Sequence, residues 1–152
     1  MAILLLLTAV LGGTMLSAQS SINGSLSTKA GTYETTFLTF ITGALILFLL
    51  VLFFGDGEIG LILEAPKWQL SAVWFGVGYL FLTVLAVPQI GVIATNISTI
   101  IGQLGAGIMI DHYGWFGGNQ ILFDWKRGLA FLLMLIALRF IYIADKKQAK
   151  GG

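Results

Sequence analysis

Amide side chains recur at helical spacing inside apolar stretches of this sequence. Gln19 and Asn23 are four residues apart in the first stretch, which places them on one face of a helix. Asn96, Thr99 and Gln103 follow i, i+3, i+7 spacing in a later stretch and also share a face. Amides in apolar surroundings need hydrogen-bond partners. These amides are therefore candidates for binding a substrate, and the alternative is hydrogen bonding between helices.

A second candidate set lies in the third apolar stretch. Gly76, Tyr79 and Thr83 have the same i, i+3, i+7 spacing, and Trp74 is close by in the sequence. An indole offers a stacking surface for a planar or cationic group. Trp74 and Tyr79 are therefore candidate substrate contacts, and the alternative is ordinary packing with one hydrogen bond.

Ionisable residues are scarce inside the apolar stretches, and no Asp or Glu lies near the middle of one. Asp111 and His112 end the fourth stretch, where a carboxylate opposes the negative end of the helix dipole. We name them as candidates for proton coupling, against the alternative of an interfacial turn completed by Gly114. Arg139 either extends its side chain to the membrane surface or binds an anion.

Small residues form a stripe on another face of the fourth stretch. Ala94, Ser98, Gly102 and Ala106 repeat every four residues. Such repeats let two helix backbones approach closely. We predict that this stripe packs against another helix.

Composition excludes several classes of function. The chain has no cysteine and one histidine, which leaves too few ligands for a transition metal, and we expect no metal or cofactor. A net charge of +1 provides no cationic surface for nucleic acid. Phosphate-binding loops and the HExxH and GxSxG motifs are missing from the sequence, so we predict that the protein is not an enzyme.

The apolar stretches themselves define the fold class. At 57% hydrophobic and 10% charged residues, a chain of 152 residues cannot hide its apolar side chains in a globule. We predict an all-α integral membrane protein, a single domain over residues 1–152, with five transmembrane helices of about 17–25 residues. The predicted spans are 3–21, 36–54, 69–87, 90–110 and 128–144.

The boundaries between spans follow from the polar connections, which we place at 24–35, 55–68 and 111–127. Only Val87, Pro88 and Gln89 separate the third and fourth spans. A single Pro-kinked helix of about 42 residues would be about 63 Å long, twice the thickness of a bilayer core of about 30 Å. We therefore predict two antiparallel spans joined by a tight reversal at Pro88.

An odd number of spans puts the chain ends on opposite sides of the membrane. Lys and Arg are then nearly balanced, with three on one side and four or five on the other. This difference does not fix one orientation, so insertion in both orientations is a hypothesis. Two oppositely oriented copies would form a ten-helix body with a two-fold axis in the membrane plane, the inverted-repeat arrangement of secondary transporters.

A set of motifs extends over nearly the whole chain, in the segments 16–23, 37–43, Trp68, Gly76, Gly78, Tyr79, 87–91, 102–104 and 110–117. These motifs resemble those of the YdcZ-type family of the drug/metabolite transporter superfamily. The family more often has Arg where this chain has Gln89.

The resemblance implies a five-helix half-transporter of the bacterial inner (cytoplasmic) membrane, distantly similar to small multidrug resistance proteins. It implies pairing in opposite orientations with a second copy or a sibling chain. Those distant relatives rely on a glutamate in their first span, where this chain offers Gln19. We expect transport of a small organic solute bound at the midplane of an antiparallel dimer. A channel-like facilitator and a noncatalytic assembly subunit are the alternatives.

Overall fold

The computed structural model describes residues 1–118 and 120–151, and no strand occurs among them. Its α-helices are α1 (Ala2–Ala30), α2 (Thr32–Phe54), α3 (Ala72–Tyr113) and α4 (Trp125–Gly151). Short 3-10 turns lie at Ile59–Leu63, Gln69–Ser71 and Trp115–Gly117. By contacts within the chain, residues 1–90 and residues 91–152 form two compact units.

Four helices in the described residues are long and apolar enough to cross a membrane. This confirms an all-helical protein with membrane-spanning helices, while the predicted number of five crossings stays a prediction. The four segments are Ile3–Ala30, Thr32–Phe54, Gln69–Tyr113 and Trp125–Ala144.

The predicted connection at 24–35 is wrong. Helix α1 continues to Ala30 and α2 begins at Thr32, so only Gly31 joins them. Gly31 has φ 98°, a value that residues with a Cβ rarely adopt, and a Cβ there would also overlap the carboxylate of Glu34. Of the polar residues in this region, Ser27 and Thr35 are buried inside the unit, whereas Ser25, Thr28, Lys29 and Glu34 are exposed although they are helical.

The predicted reversal at Val87, Pro88 and Gln89 is also misplaced. Pro88 lies within α3, and the helical backbone is broken at Gly91 instead, with φ 80° and ψ 166°. Proline has a helix-compatible φ, although it removes one helical hydrogen bond and its ring crowds the carbonyl four residues earlier. Glycine tolerates a positive φ without steric cost, so the break falls at Gly91.

Among the residues whose burial the structure describes, the buried ones are more often polar than apolar. The exposed set contains most of the large apolar side chains, which is the opposite of a soluble protein and is expected where lipid surrounds the helices. The buried apolar residues are Leu80, Val84, Val87, Ala94 and Ile101. The buried polar residues are Ser20, Asn23, Ser27, Thr35, Thr36, Thr83 and Thr95.

Helix α1 approaches the first part of α3 very closely at Gly24. A Cβ on Gly24 would overlap the Val87 side chain, lying only 2.9 Å from the Cβ of Val87. One turn further on, the Ser27 hydroxyl donates to the Gly24 carbonyl at 2.9 Å and lies 3.5 Å from the Val84 carbonyl. That carbonyl lacks its usual helical donor because residue 88 is proline. A glycine and a serine thus fit α1 against the proline segment of α3.

Candidate functional site

An open groove of about 600 Å³ lies between α2 and the first part of α3, within the unit of residues 1–90. This volume falls in the range of small-molecule binding sites. The residues that line it are Tyr33, Thr36, Phe37 and Phe40 from α2, and Trp74, Val77, Gly78 and Phe81 from α3.

Helical spacing explains why these side chains meet. Tyr33, Phe37 and Phe40 follow i, i+4, i+7 spacing, so their rings project from one face of α2. Trp74 and Phe81 are seven residues apart on α3 and share a face in the same way. Gly78, between them, has no atom within 4 Å of where a Cβ would stand. The two ring-bearing faces leave an open, aromatic space between them.

The groove contains no charged side chain. The Tyr33 and Phe81 rings lie 5.0 Å apart between centroids, tilted by 39°. The Thr36 hydroxyl is already used, because it donates to the Thr32 carbonyl at 2.8 Å. Such a surface favours flat apolar molecules, since rings stack on rings and no counter-charge is present.

The amide of Asn23 lies between α1 and α2, not in this groove. Its Oδ1 atom is 3.1 Å from the Thr39 hydroxyl, which also lies 2.9 Å from the Thr35 carbonyl. Asn23 Nδ2 and Thr35 Oγ1 are buried and have no hydrogen-bond partner. A hydroxyl has one proton, so Thr39 donates to only one of its two neighbours at a time. This pairing is one of the interhelical contacts weighed above as the alternative to substrate binding.

The other substrate residues predicted in this unit occupy different surroundings. Trp74 lines the groove and is 79% exposed. Tyr79 is half-buried, and its carbonyl accepts a hydrogen bond from Thr83 at 2.8 Å. Gln19 is exposed, one turn before buried Asn23. Their roles in substrate binding stay predictions.

In the unit of residues 91–152, Asn96 is half-buried and Gln103 is exposed. The backbone carbonyl of Asn96 accepts a hydrogen bond from the Thr99 hydroxyl at 2.8 Å. Of the predicted packing stripe, Ala94 is buried, whereas Ser98, Gly102 and Ala106 are exposed. These exposed small residues leave a helix face open, and the predicted packing partner stays a prediction.

The two candidates for proton coupling end helix α3 within a set of specific contacts. The Asp111 carboxylate pairs with Arg127 at 3.1 Å, which compensates for its position at the negative end of a helix. His112 Nδ1 accepts a hydrogen bond from the backbone N–H of Phe123 at 3.2 Å. Gly114, with φ 63°, directly follows the last residue of the helix, a geometry that fits the interfacial turn named as the alternative. Arg139 is exposed on α4.

Sequence reasoning missed most of the groove because it followed polar side chains. Tyr33 lies in a predicted connection, Phe37 and Phe40 lie in the segment 37–43 that carries the family resemblance, and Phe81 lies in a predicted span, but none of them is a predicted substrate contact. The i, i+4, i+7 recurrence of rings in α2 is visible in the sequence and would have identified them.

The sequence pattern of a known family matches residues 4–140, and that family is described as "Putative inner membrane exporter, YdcZ". The chain belongs to this family. The resemblance seen in the sequence motifs is thereby confirmed. Together with its long apolar helices, membership makes the chain a multi-pass protein of the inner membrane. No curated protein and no solved structure matches the chain.

Proposed function

We propose that this YdcZ family member is a secondary transporter that exports a small, flat, uncharged organic solute. The observation that supports this substrate class is the aromatic groove between α2 and α3. Family membership supports the direction of transport.

Magnitudes favour a neutral solute over a cation. Aromatic pairs contribute about 0.5–1.5 kcal/mol beyond buried area, and a desolvated cation–π contact about 2 kcal/mol. Removing a full charge from water costs several kcal/mol unless an opposite charge compensates it. No charged residue lines the groove, so a cation would lose more than it gains.

The working unit that we propose has five crossings per chain and two chains in opposite orientations. Helix α3 has 42 residues, which at about 1.5 Å each would far exceed a bilayer core of about 30 Å as one straight crossing. We propose that its two parts, before and after Gly91, cross the membrane separately. An odd number of crossings lets an inverted second copy, or a sibling chain, complete a site near the midplane.

The groove is tested by ligand binding in nanodiscs. Replacing Trp68, Trp115 and Trp125 by Phe leaves Trp74 as the only tryptophan of the chain. We expect neutral acridone to quench Trp74 and the similarly sized N-methylacridinium cation to bind more weakly.

The decisive variant of this assay is Phe81→Ala, which removes one wall of the groove. We expect it to raise the dissociation constant for acridone about tenfold, because a stacked ring is lost. The matched control is Phe75→Ala, an exposed aromatic residue on the same helix that does not line the groove. Equal effects of the two variants would exclude the groove as the binding site. In proteoliposomes, acridone efflux that saturates with concentration separates a transporter from a channel.

The dual orientation is tested with single cysteines, because the native chain has none. Asp56 lies in an exposed connection between α2 and α3, so Asp56→Cys gives one reactive thiol. We expect a membrane-impermeant maleimide added outside intact cells to label about half of the protein, and lysis to expose the rest. Labelling of all or none before lysis would show a single orientation and would leave only a sibling chain as the inverted partner.

A further inference from the structure

The end of α3 is joined to residues 120–123 by three hydrogen bonds. The last carbonyls of a helix have no donor within the helix and need one from elsewhere. The Ile121 N–H donates to the Asp111 carbonyl at 2.8 Å, and Gln120 Nε2 donates to the His112 carbonyl at 2.9 Å. The third bond runs from the Phe123 N–H to His112 Nδ1 at 3.2 Å. Only this third bond uses a titratable side chain.

The bond at His112 requires a neutral imidazole. Nδ1 accepts a hydrogen bond only when it has no proton, so the ring proton must be on Nε2. An imidazole can take up a second proton on this nitrogen. Once protonated, Nδ1 becomes a donor that faces another donor, the Phe123 N–H. Protonation of Nδ1 therefore removes this bond, and loss of that proton restores it.

The same residue, Phe123, also contacts the first turns of α4. Its ring lies directly over Gly128, where a Cβ would be only 2.8 Å from the ring Cζ atom. The imidazole of His112 is thus linked through the backbone and ring of Phe123 to the start of α4. The side chain that holds the Phe123 backbone is therefore at the end of one helix, and the ring of Phe123 lies at the start of the next.

Other titratable groups lie near the hydrogen bond between His112 and Phe123, and their effects must be distinguished from that of His112. Asp111 and Tyr113 adjoin His112 on α3, and the Tyr113 ring lies edge-on at 5.0 Å from the imidazole. Asp124 follows Phe123, and α4 adds Lys126 and Arg127. The ion pair of Asp111 with Arg127 uses no atom of His112. It forms a second link that the imidazole proton does not remove.

We propose that His112 is a proton-binding switch: its neutral imidazole holds Phe123 and the start of α4 at the end of α3, and its protonation releases residues 122–124. This inference goes beyond the proposed function, because it depends on neither the groove nor the solute.

The test is spin-label mobility on a unique cysteine. Leu122 is 68% exposed and adjoins Phe123, so Leu122→Cys accepts a nitroxide without entering a packed site. We expect the mobile component of the spectrum to increase about fivefold between pH 8 and pH 5, as one net hydrogen bond is lost. A label at exposed Leu133 within α4 is the control and should not respond. An unchanged spectrum at Leu122 would overturn the proposal.

Two substitutions at His112 distinguish an effect of its own protonation from an effect of protonating any other residue. His112→Asn keeps an acceptor near the position of Nδ1 but does not titrate, so the label should remain ordered at both pH values. His112→Leu removes the acceptor, so the label should be mobile at both. A pH response that persists in His112→Asn and disappears in Asp111→Asn would assign the effect to the ion pair and overturn the proposal. An ordered label in His112→Leu would overturn it as well.

Discussion

The two halves of α1 have the same helical backbone and opposite surroundings. Residues 3–16 are exposed and mainly apolar, and nothing lies within 4 Å of where a Cβ would stand on Gly12 or Gly13. In the second half, Ser20, Asn23 and Ser27 are buried, and Gly24 touches Val87. The more polar half is the one that packs against other helices.

This difference shows what drives helix packing in a membrane protein. Lipid chains solvate leucine as well as another helix does, so apolar side chains give helices little reason to associate. Small residues permit close backbone approach, and polar groups seek partners away from lipid. In α1 the buried residues Ser20, Asn23, Gly24 and Ser27 lie after residue 19, whereas Gly12 and Gly13, although small, lie in open surroundings.

Adding one methyl group to each half of α1 tests the difference between their surroundings. Gly24→Ala should lower the free energy of unfolding by about 1–3 kcal/mol, because its Cβ overlaps Val87 and overpacking outweighs better helix propensity. Gly12→Ala, in open surroundings, should leave stability unchanged or raise it by up to about 1 kcal/mol. Unfolding of both purified variants in detergent, followed by circular dichroism, measures the difference. Equal losses would mean that α1 packs along its whole length.

The same comparison explains which parts of the fold could be predicted from sequence. Long apolar runs identify membrane helices because few other structures accommodate them. The predicted boundaries are wrong where the sequence is polar: residues 24–30 are predicted as part of a connection, yet they are helical, and Gly24 and Ser27 within them are buried. Polarity indicates contact with water in a soluble protein, but between membrane helices it indicates contact with another helix.

The positions at which the helical backbone is interrupted are equally difficult to predict from the sequence. Pro88 is the strongest helix breaker in the sequence, yet the helix continues through it. The Val84 carbonyl, which lacks a helical donor because residue 88 is proline, lies near Ser27 of α1. Gly91 has the positive φ instead, in a conformation close to that of Gly31. Sequence alone does not tell which of several glycines adopts such a conformation, because the choice depends on contacts made elsewhere in the chain.

The candidate site was only partly predictable for a related reason. Trp74 was identified because an indole is a recognisable stacking surface, and the groove contains it. Of its other rings, Phe81 lies on the same helix, and Tyr33, Phe37 and Phe40 come from α2, a helix with no unusual residue in its apolar run. Pairing the two ring-bearing faces required the tertiary structure, since each face alone is typical of a helix that contacts lipid.

A smaller effect is expected for the polar contact between Asn23 of α1 and Thr39 of α2, and measuring it tests whether the two side chains interact specifically. A double-mutant cycle of Asn23→Ala with Thr39→Ala should give a coupling free energy of about 0.6 kcal/mol, and at most about 1.7 kcal/mol, the range for hydrogen bonds between membrane helices. Gln19→Ala is the matched control, because Gln19 is an exposed amide one turn away on the same helix. Its coupling to Thr39 should be zero in the same unfolding assay. Equal coupling for both amides would mean that Thr39 acts through general packing of α2, and not through the 3.1 Å contact with Asn23.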